Sequence, residues 1–226
     1  MRQLIAAAIS KPVNFPHLSQ VVYPDDKVVI AADAFLAMRP KLLADFAAEI
    51  IAVGLTADDV TVLMLEAEQK MYEKPFRDAL PAELQKKVRV SVHKPLDPQS
   101  LAMLAVAKDN SPVMLNRELV EADVVIPIER YEAKPGMGYF GMQSVVYPRF
   151  ADAETQKRFL FSETKKNREK IQTELITEVL EVAYSLGVMM TIQILANFQD
   201  EITRIIVGEA NEIAAHLAKK REQAEN

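Results

Sequence analysis

The sequence predicts an α/β protein: a mostly parallel sheet with helices on both faces, followed by a C-terminal α-β-β-α segment. Three observations carry that prediction. Four short apolar runs, at residues 27–32, 60–65, 87–92 and 123–128, suit strands buried on both faces. They recur at intervals of roughly thirty residues with helix-like stretches between them, the rhythm of β-α-β units and parallel pairing. After about residue 160 that rhythm gives way to a long amphipathic stretch, two further apolar runs and a last helical pattern.

The elements follow in order. Residues 10–26 carry Pro12, Pro16 and Pro24 and are expected to run extended over the surface. The first strand then ends at Asp33. Pro40 opens a helical pattern with Leu43, Phe46, Ala47, Ile50 and Ile51 on one face, and Gly54 stands just past its end. Further helix-like stretches lie at residues 75–85, 98–108 and 116–121. Residues 167–183 form an amphipathic pattern through Ile171, Leu175, Val179, Leu180 and Val182 that stops at Gly187. Strands at 188–195 and 202–207 are joined by a polar turn from Asn197 to Asp200, which predicts an antiparallel hairpin. The last helix, 209–221, has Glu209 and Glu212 in its first turn and Lys219, Lys220 and Arg221 in its last, as the helix dipole favours. The chain thus divides into an α/β domain over residues 1–163 and an α-β-β-α segment over 164–226.

Composition removes several kinds of chemistry. The 226 residues include no Cys, which excludes disulfides, iron–sulfur clusters, Cys-ligated zinc and a thiol nucleophile. His17, His93 and His216 are far apart in the chain and offer no ligand spacing. A formal charge of -5 argues against sequence-independent binding to a nucleic-acid backbone. The apolar stretches are too short to span a bilayer, and no cleavage site follows the apolar start, so no membrane partner and a cytoplasmic location are expected.

In open α/β sheets ligands sit beyond the carboxyl ends of the strands. Those ends carry Asp33, Glu66, Glu68, Gln69, His93, Glu129, Arg130, Glu132 and Lys134. If the second strand continues past Leu65, Glu66 and Glu68 share a face and offer paired carboxylates for acid–base work. Arg130 and Lys134 suit a substrate carboxylate. For His93 a hydrogen-bonded structural role is expected. Gly136, Gly138 and Gly141 spell G-x-G-x-x-G, but the motif does not follow its strand directly and meets Pro148 before a helix can develop. That context speaks against dinucleotide binding and for a special backbone path over a ligand.

Several stretches resemble the nickel-pincer lactate racemase (LarA-like) family, mainly its N-terminal domain. Residues 26–33 are similar to the family's first strand and its closing Asp. Residues 88–93, ending in His93 and followed by Asp97, resemble its V-x-V-x-x-H segment. Residues 111–126 (Ser-Pro-Val-Met-Leu-Asn-Arg-Glu-Leu-Val-Glu-Ala-Asp-Val-Val-Ile) are similar to its T-P-V-x-x-N-R-x-x-x-x-A-D-x-V-I. Gly138 to Gly141, then Pro148, Glu154 and Thr155, resemble its glycine-rich loop and sequel. The segment 164–226 resembles the start of the family's second lobe.

The resemblance implies racemisation of a 2-hydroxy acid by a nickel held in a lysine-tethered, pyridinium-derived nucleotide, with histidine bases. This chain departs from that pattern at the working positions. Gln69 stands at the family's H-R-P, Lys134 at the histidine of E-P-H, Ser144 at the tethering lysine and Leu160 at the metal-side histidine; Arg39 and Pro40 alone remain of the phosphate-gripping T-R-P. Gln does not titrate, Ser cannot form the lysine adduct and Leu has no lone pair. No metal site and no resident cofactor are therefore predicted. Two readings follow. In one, the chain has lost nickel-pincer catalysis and keeps a binding or assembly role. In the other, it is a divergent racemase or isomerase of a small hydroxy or sugar acid, using Asp33, Glu66, Glu68, Gln69, Glu132, Lys134 and Ser144 under the glycine loop. The partners in view are a small-molecule carboxylate and a second copy of the chain, docked through residues 165–226 if the hairpin keeps an uncovered apolar face.

Overall fold

The computed structural model describes residues 1–107, 110–132, 140–162 and 168–225. Strand β1 (Val28–Ala32) is buried throughout and lies at the middle of a six-stranded sheet. On one side it pairs in parallel with β2 (Val60–Leu65), which pairs in parallel with β3 (Arg89–His93). On the other side it pairs in parallel with β6 (Val124–Arg130), then come β7 (Thr191–Ala196), parallel, and β8 (Ile202–Gly208), antiparallel. The order is β3-β2-β1-β6-β7-β8, so the sheet continues across the boundary between residues 163 and 164.

Alternation in β1 assigns the two faces. Val28, Ile30 and Ala32 join the main core with Ile5 and Ile9 of α1 (Arg2–Ser10) and Phe46 and Ile50 of α3 (Pro40–Ile51). Val29 and Ala31 pack with Leu119 of α5 (Arg117–Val120) and with Phe150. On that second side, α6 (Ala153–Ser162) and α7 (Arg168–Ser185) meet in a cluster with Phe159, Leu175 and Val179. Helices do cover both faces. The hairpin's apolar residues find cover within the chain: Ile192, Ile194, Ile205 and Val207 enter the main core, while Ile206 meets Ile213 of α8 (Ala210–Glu225).

Two expectations are corrected. The helix placed at 75–85 is α4 (Glu66–Ala79), which begins directly after β2 and contains Pro75. Its start is fixed by Glu68, whose carboxylate accepts the Leu65 N–H at 3.0 Å, and ion pairs such as Lys70–Glu66 and Arg77–Glu73 at i,i+4 support it. Glu66 and Glu68 therefore sit in a first helical turn and do not share a strand face. The stretch 98–108 is not an α-helix where described: after a single 3-10 turn at Pro98–Ser100, β4 (Leu101–Val106) pairs antiparallel with β5 (Pro112–Asn116). Arg117 anchors this hairpin through the Gln99 and Leu101 carbonyls.

The lead-in segment touches the sheet where Val13 bridges Gly208, its N–H donating to the Val207 carbonyl at 2.7 Å. A Cβ on Gly208 would stand 2.6 Å from the Val13 oxygen, a backbone atom that cannot swing aside. Gly208→Ala is therefore expected to cost about 2 kcal/mol, read as a lowered urea midpoint with unchanged m-value.

Candidate functional site

Strand order fixes where a crevice opens. The chain proceeds from β1 outward to β2 and β3, then returns to place β6 on the far side of β1. The connections leaving β1 and β6 diverge there, and a crevice at the carboxyl ends follows. A cavity of about 500 Å³ lies at this point, bounded by Asp33 after β1, Leu65 ending β2, and Glu129 and Arg130 ending β6. Phe35 and Glu132 also border it, and the rest of its wall comes from residues 140–160, including Phe140, Ser144, Arg149, Gln156 and Leu160.

The carboxylates here are committed to the fold. Asp33 caps the short helix α2 (Ala34–Ala37) by accepting the Leu36 N–H at 3.0 Å, and accepts the Arg130 N–H at 2.6 Å. Burial raises its pKa, with those N–H groups pulling the other way. Glu129 is fully buried and pairs in register with Gln193. It accepts the Gln143 N–H, the Val145 N–H at 3.4 Å and the Gln193 amide at 2.7 Å. Burial pushes its pKa up to about 7, against those donors, and neighbouring Asp33 adds to the rise. Because its donors bracket Ser144, Glu129 clamps the cleft wall on which Ser144 sits.

Arg130 spans the rim. Its guanidinium reaches Asp200 in the β7–β8 turn at 2.6 Å and Glu132 at 3.2 Å, and its plane lies over Phe35 at 5.1 Å. Arg39 stacks on the same ring at 4.5 Å and donates to the Asp200 carbonyl. Deeper in, Arg149 forms an ion pair with Glu68, whose side chain is 11% exposed against 18% for the arginine. Arg149 Nε is buried with no acceptor among the described residues.

Asp33, Glu132 and Ser144 of the sequence candidates thus line the cavity, and Glu68 reaches it through Arg149. Glu66, paired with Lys70, and Gln69, bonded to Glu73 at 2.5 Å, do not line it; neither does Arg39. Lys134, Gly136 and Gly138 lie outside the described residues. Gly141, at φ +96°, is not among the lining residues. His93 is buried, its Nε2 bonded to the Ala151 carbonyl at 2.9 Å and its Nδ1 to the Asn116 amide at 3.2 Å, and burial lowers its pKa. Arg149 and Gln156 are cleft residues that the sequence reading did not select. The polar Thr191 and Gln193, alternating with Ile192 and Ile194 in the buried first part of β7, were the available signal for the buried Glu129.

Sheet order, switch-point crevice and two-sided helical cover define an open α/β protein with a crevice at the carboxyl ends of its strands. The chain matches the Lactate racemase N-terminal domain family over residues 1–172, and it belongs to that family. The lactate racemase apoprotein from Thermoanaerobacterium thermosaccharolyticum is similar in fold, with a TM-score of 0.69 at 16% identity over 96% of this chain and 53% of that one. A protein from Thermotoga maritima superposes with a TM-score of 0.62 at 15% identity, over 100% of this chain and 59% of that one. The chain therefore spans little more than half the length of either. None of the curated proteins matches it.

The family's nickel-pincer group needs an amine for its tether and imidazoles beside its metal. Among the described cavity residues there is no lysine and no histidine; the side chains at the resembling positions are the hydroxyl of Ser144 and the isobutyl group of Leu160. That donor set does not fit the group. No helix among the described residues is long and apolar enough to cross a membrane.

Proposed function

We propose that this member of the family is a binding domain whose strand-end cleft takes a small carboxylate without nickel-pincer catalysis. The observation that carries the reading is the presence of Ser144 and Leu160 on the cleft wall, where the resemblance places the tethering lysine and the metal-side histidine. The state of the carboxylates supports it further. A general base needs a lone pair aimed at substrate. Asp33 and Glu129 instead accept backbone N–H groups, Glu68 is paired with Arg149 and Glu132 with Arg130. Those commitments weigh against the divergent-isomerase reading, which needs one of these groups to move a proton.

The test is metal analysis of the purified chain after growth with nickel, together with a racemisation assay on each enantiomer of lactate. Substoichiometric nickel and no change in optical rotation are expected. Stoichiometric nickel with lactate turnover would overturn the proposal.

A further inference from the structure

We infer that the cleft selects a monocarboxylate bearing an apolar chain, and that Arg149 is the anchor for its carboxylate. The inference rests on the binding reading above and names its ligand. Of the five N–H donors of Arg149, the ion pair with Glu68 engages Nη2, Nε is closed off from solvent, and Nη1 meets no acceptor among the described residues. The fork thus carries more donors than the described residues supply acceptors, and a carboxylate arriving at Nη1 provides one. Glu68 is itself held by the Leu65 N–H at the start of α4, so the guanidinium has a fixed mount. Arg130, the other arginine of the cavity, is already taken by Asp200 and Glu132. Asp33 faces the same space and opposes an anion; its burial, which favours the protonated form, lessens that opposition.

The rest of the wall fixes what the carboxylate is attached to. Phe140 and Phe159 pack edge to face at 4.9 Å, Val145 and Pro148 continue the surface, and Leu160, 65% exposed, stands at the mouth. A cavity of about 500 Å³ is within the range that encloses a ligand much larger than a three-carbon acid. Phe140 and Phe159 are already buried by the fold, so the apolar group open to water is the isobutyl of Leu160, which lactate bound at Arg149 would leave uncovered. An alkyl chain covers it, and each methylene buried adds about fourfold in affinity.

The experiment is calorimetric titration of the full chain with octanoate, butanoate and octylammonium. Octanoate is expected to bind at least tenfold more tightly than butanoate, and octylammonium not to compete. The double variant Arg149→Met with Glu68→Gln, which leaves no stranded charge, is expected to lose at least tenfold in octanoate affinity while unfolding at a temperature close to the parent's. Leu160→Ser, at an exposed position, is expected to weaken octanoate and leave butanoate unchanged. Octanoate affinity that survives the double variant, equal binding of octylammonium, or no octanoate binding at millimolar concentration would each overturn the inference. These outcomes are independent of nickel content and lactate turnover, so failure of the anchor and failure of the binding reading are read separately.

Discussion

Arg149→Ala is expected to destabilise the chain by about 3–5 kcal/mol, because it strands the Glu68 carboxylate in the interior. With only 11% of its side chain exposed, Glu68 cannot recover its hydration when its partner leaves. The Leu65 N–H still donates to one carboxylate oxygen, but a single neutral donor does not replace a guanidinium. The alanine also gives up the contact of the guanidinium with Phe150, 5.5 Å from its ring centre. Adding Glu68→Gln should recover most of the loss, since the amide oxygen keeps the Leu65 bond and no charge remains. Urea unfolding of the parent, both single variants and the double variant closes the cycle. A single Arg149→Ala variant within about 1 kcal/mol of the parent would show that the pair is effectively solvated.

The second large effect is a pH dependence set by Glu129. In the unfolded chain its carboxyl ionises near 4.5, whereas in the folded protein burial raises that to about 7. A carboxyl whose pKa is raised by folding favours the native state most when protonated. Its contribution is fully present below about pH 4.5, falls as pH rises through the interval and is gone above about pH 7. The interval corresponds to about 3 kcal/mol. Asp33, also raised by burial, slopes in the same direction, so the clean measure is the difference between the parent and Glu129→Gln. The amide cannot ionise and should flatten that part of the curve, leaving the variant more stable than the parent at pH 8. Urea midpoints of both proteins from pH 4 to 8 test this. Parallel curves would show that Glu129 stays protonated, or stays ionised, throughout.

Strands β1, β2 and β6 were legible because strands buried on both faces read as apolar runs, and Val60–Leu65 appears in the sequence with its observed bounds. Strand β3, at the sheet edge, is only partly buried, against the expectation of burial on both faces. The β4–β5 hairpin was not. Leu101 to Val106 mixes Leu, Met and Ala, which serve helices as well as strands, and a short apolar run has no decisive period. Pro75 concealed the start of α4, since a proline is read as a first-turn residue and here stands in a later turn. Of the site, the positions at strand ends were readable because topology alone puts them there. The partnerships were not: Arg149 meets Glu68 across 81 positions, and Glu129 meets Gln193 across 64. Local spacing carries no information about pairs that only the finished sheet brings together.

That the cleft straddles the junction of β1 and β6 also governs its assembly. Asp33 accepts the Arg130 N–H across 97 positions of chain, and the strands on either side of it are neighbours in the sheet only after the excursion through β2 and β3 is complete. Closing so long a loop comes at an entropic cost. The cleft therefore exists only once that closure is made and is lost as soon as the sheet parts at its centre. A molecule lodged there would act as a clasp across the seam, and would oppose unfolding by an amount that grows with the logarithm of its concentration over its dissociation constant.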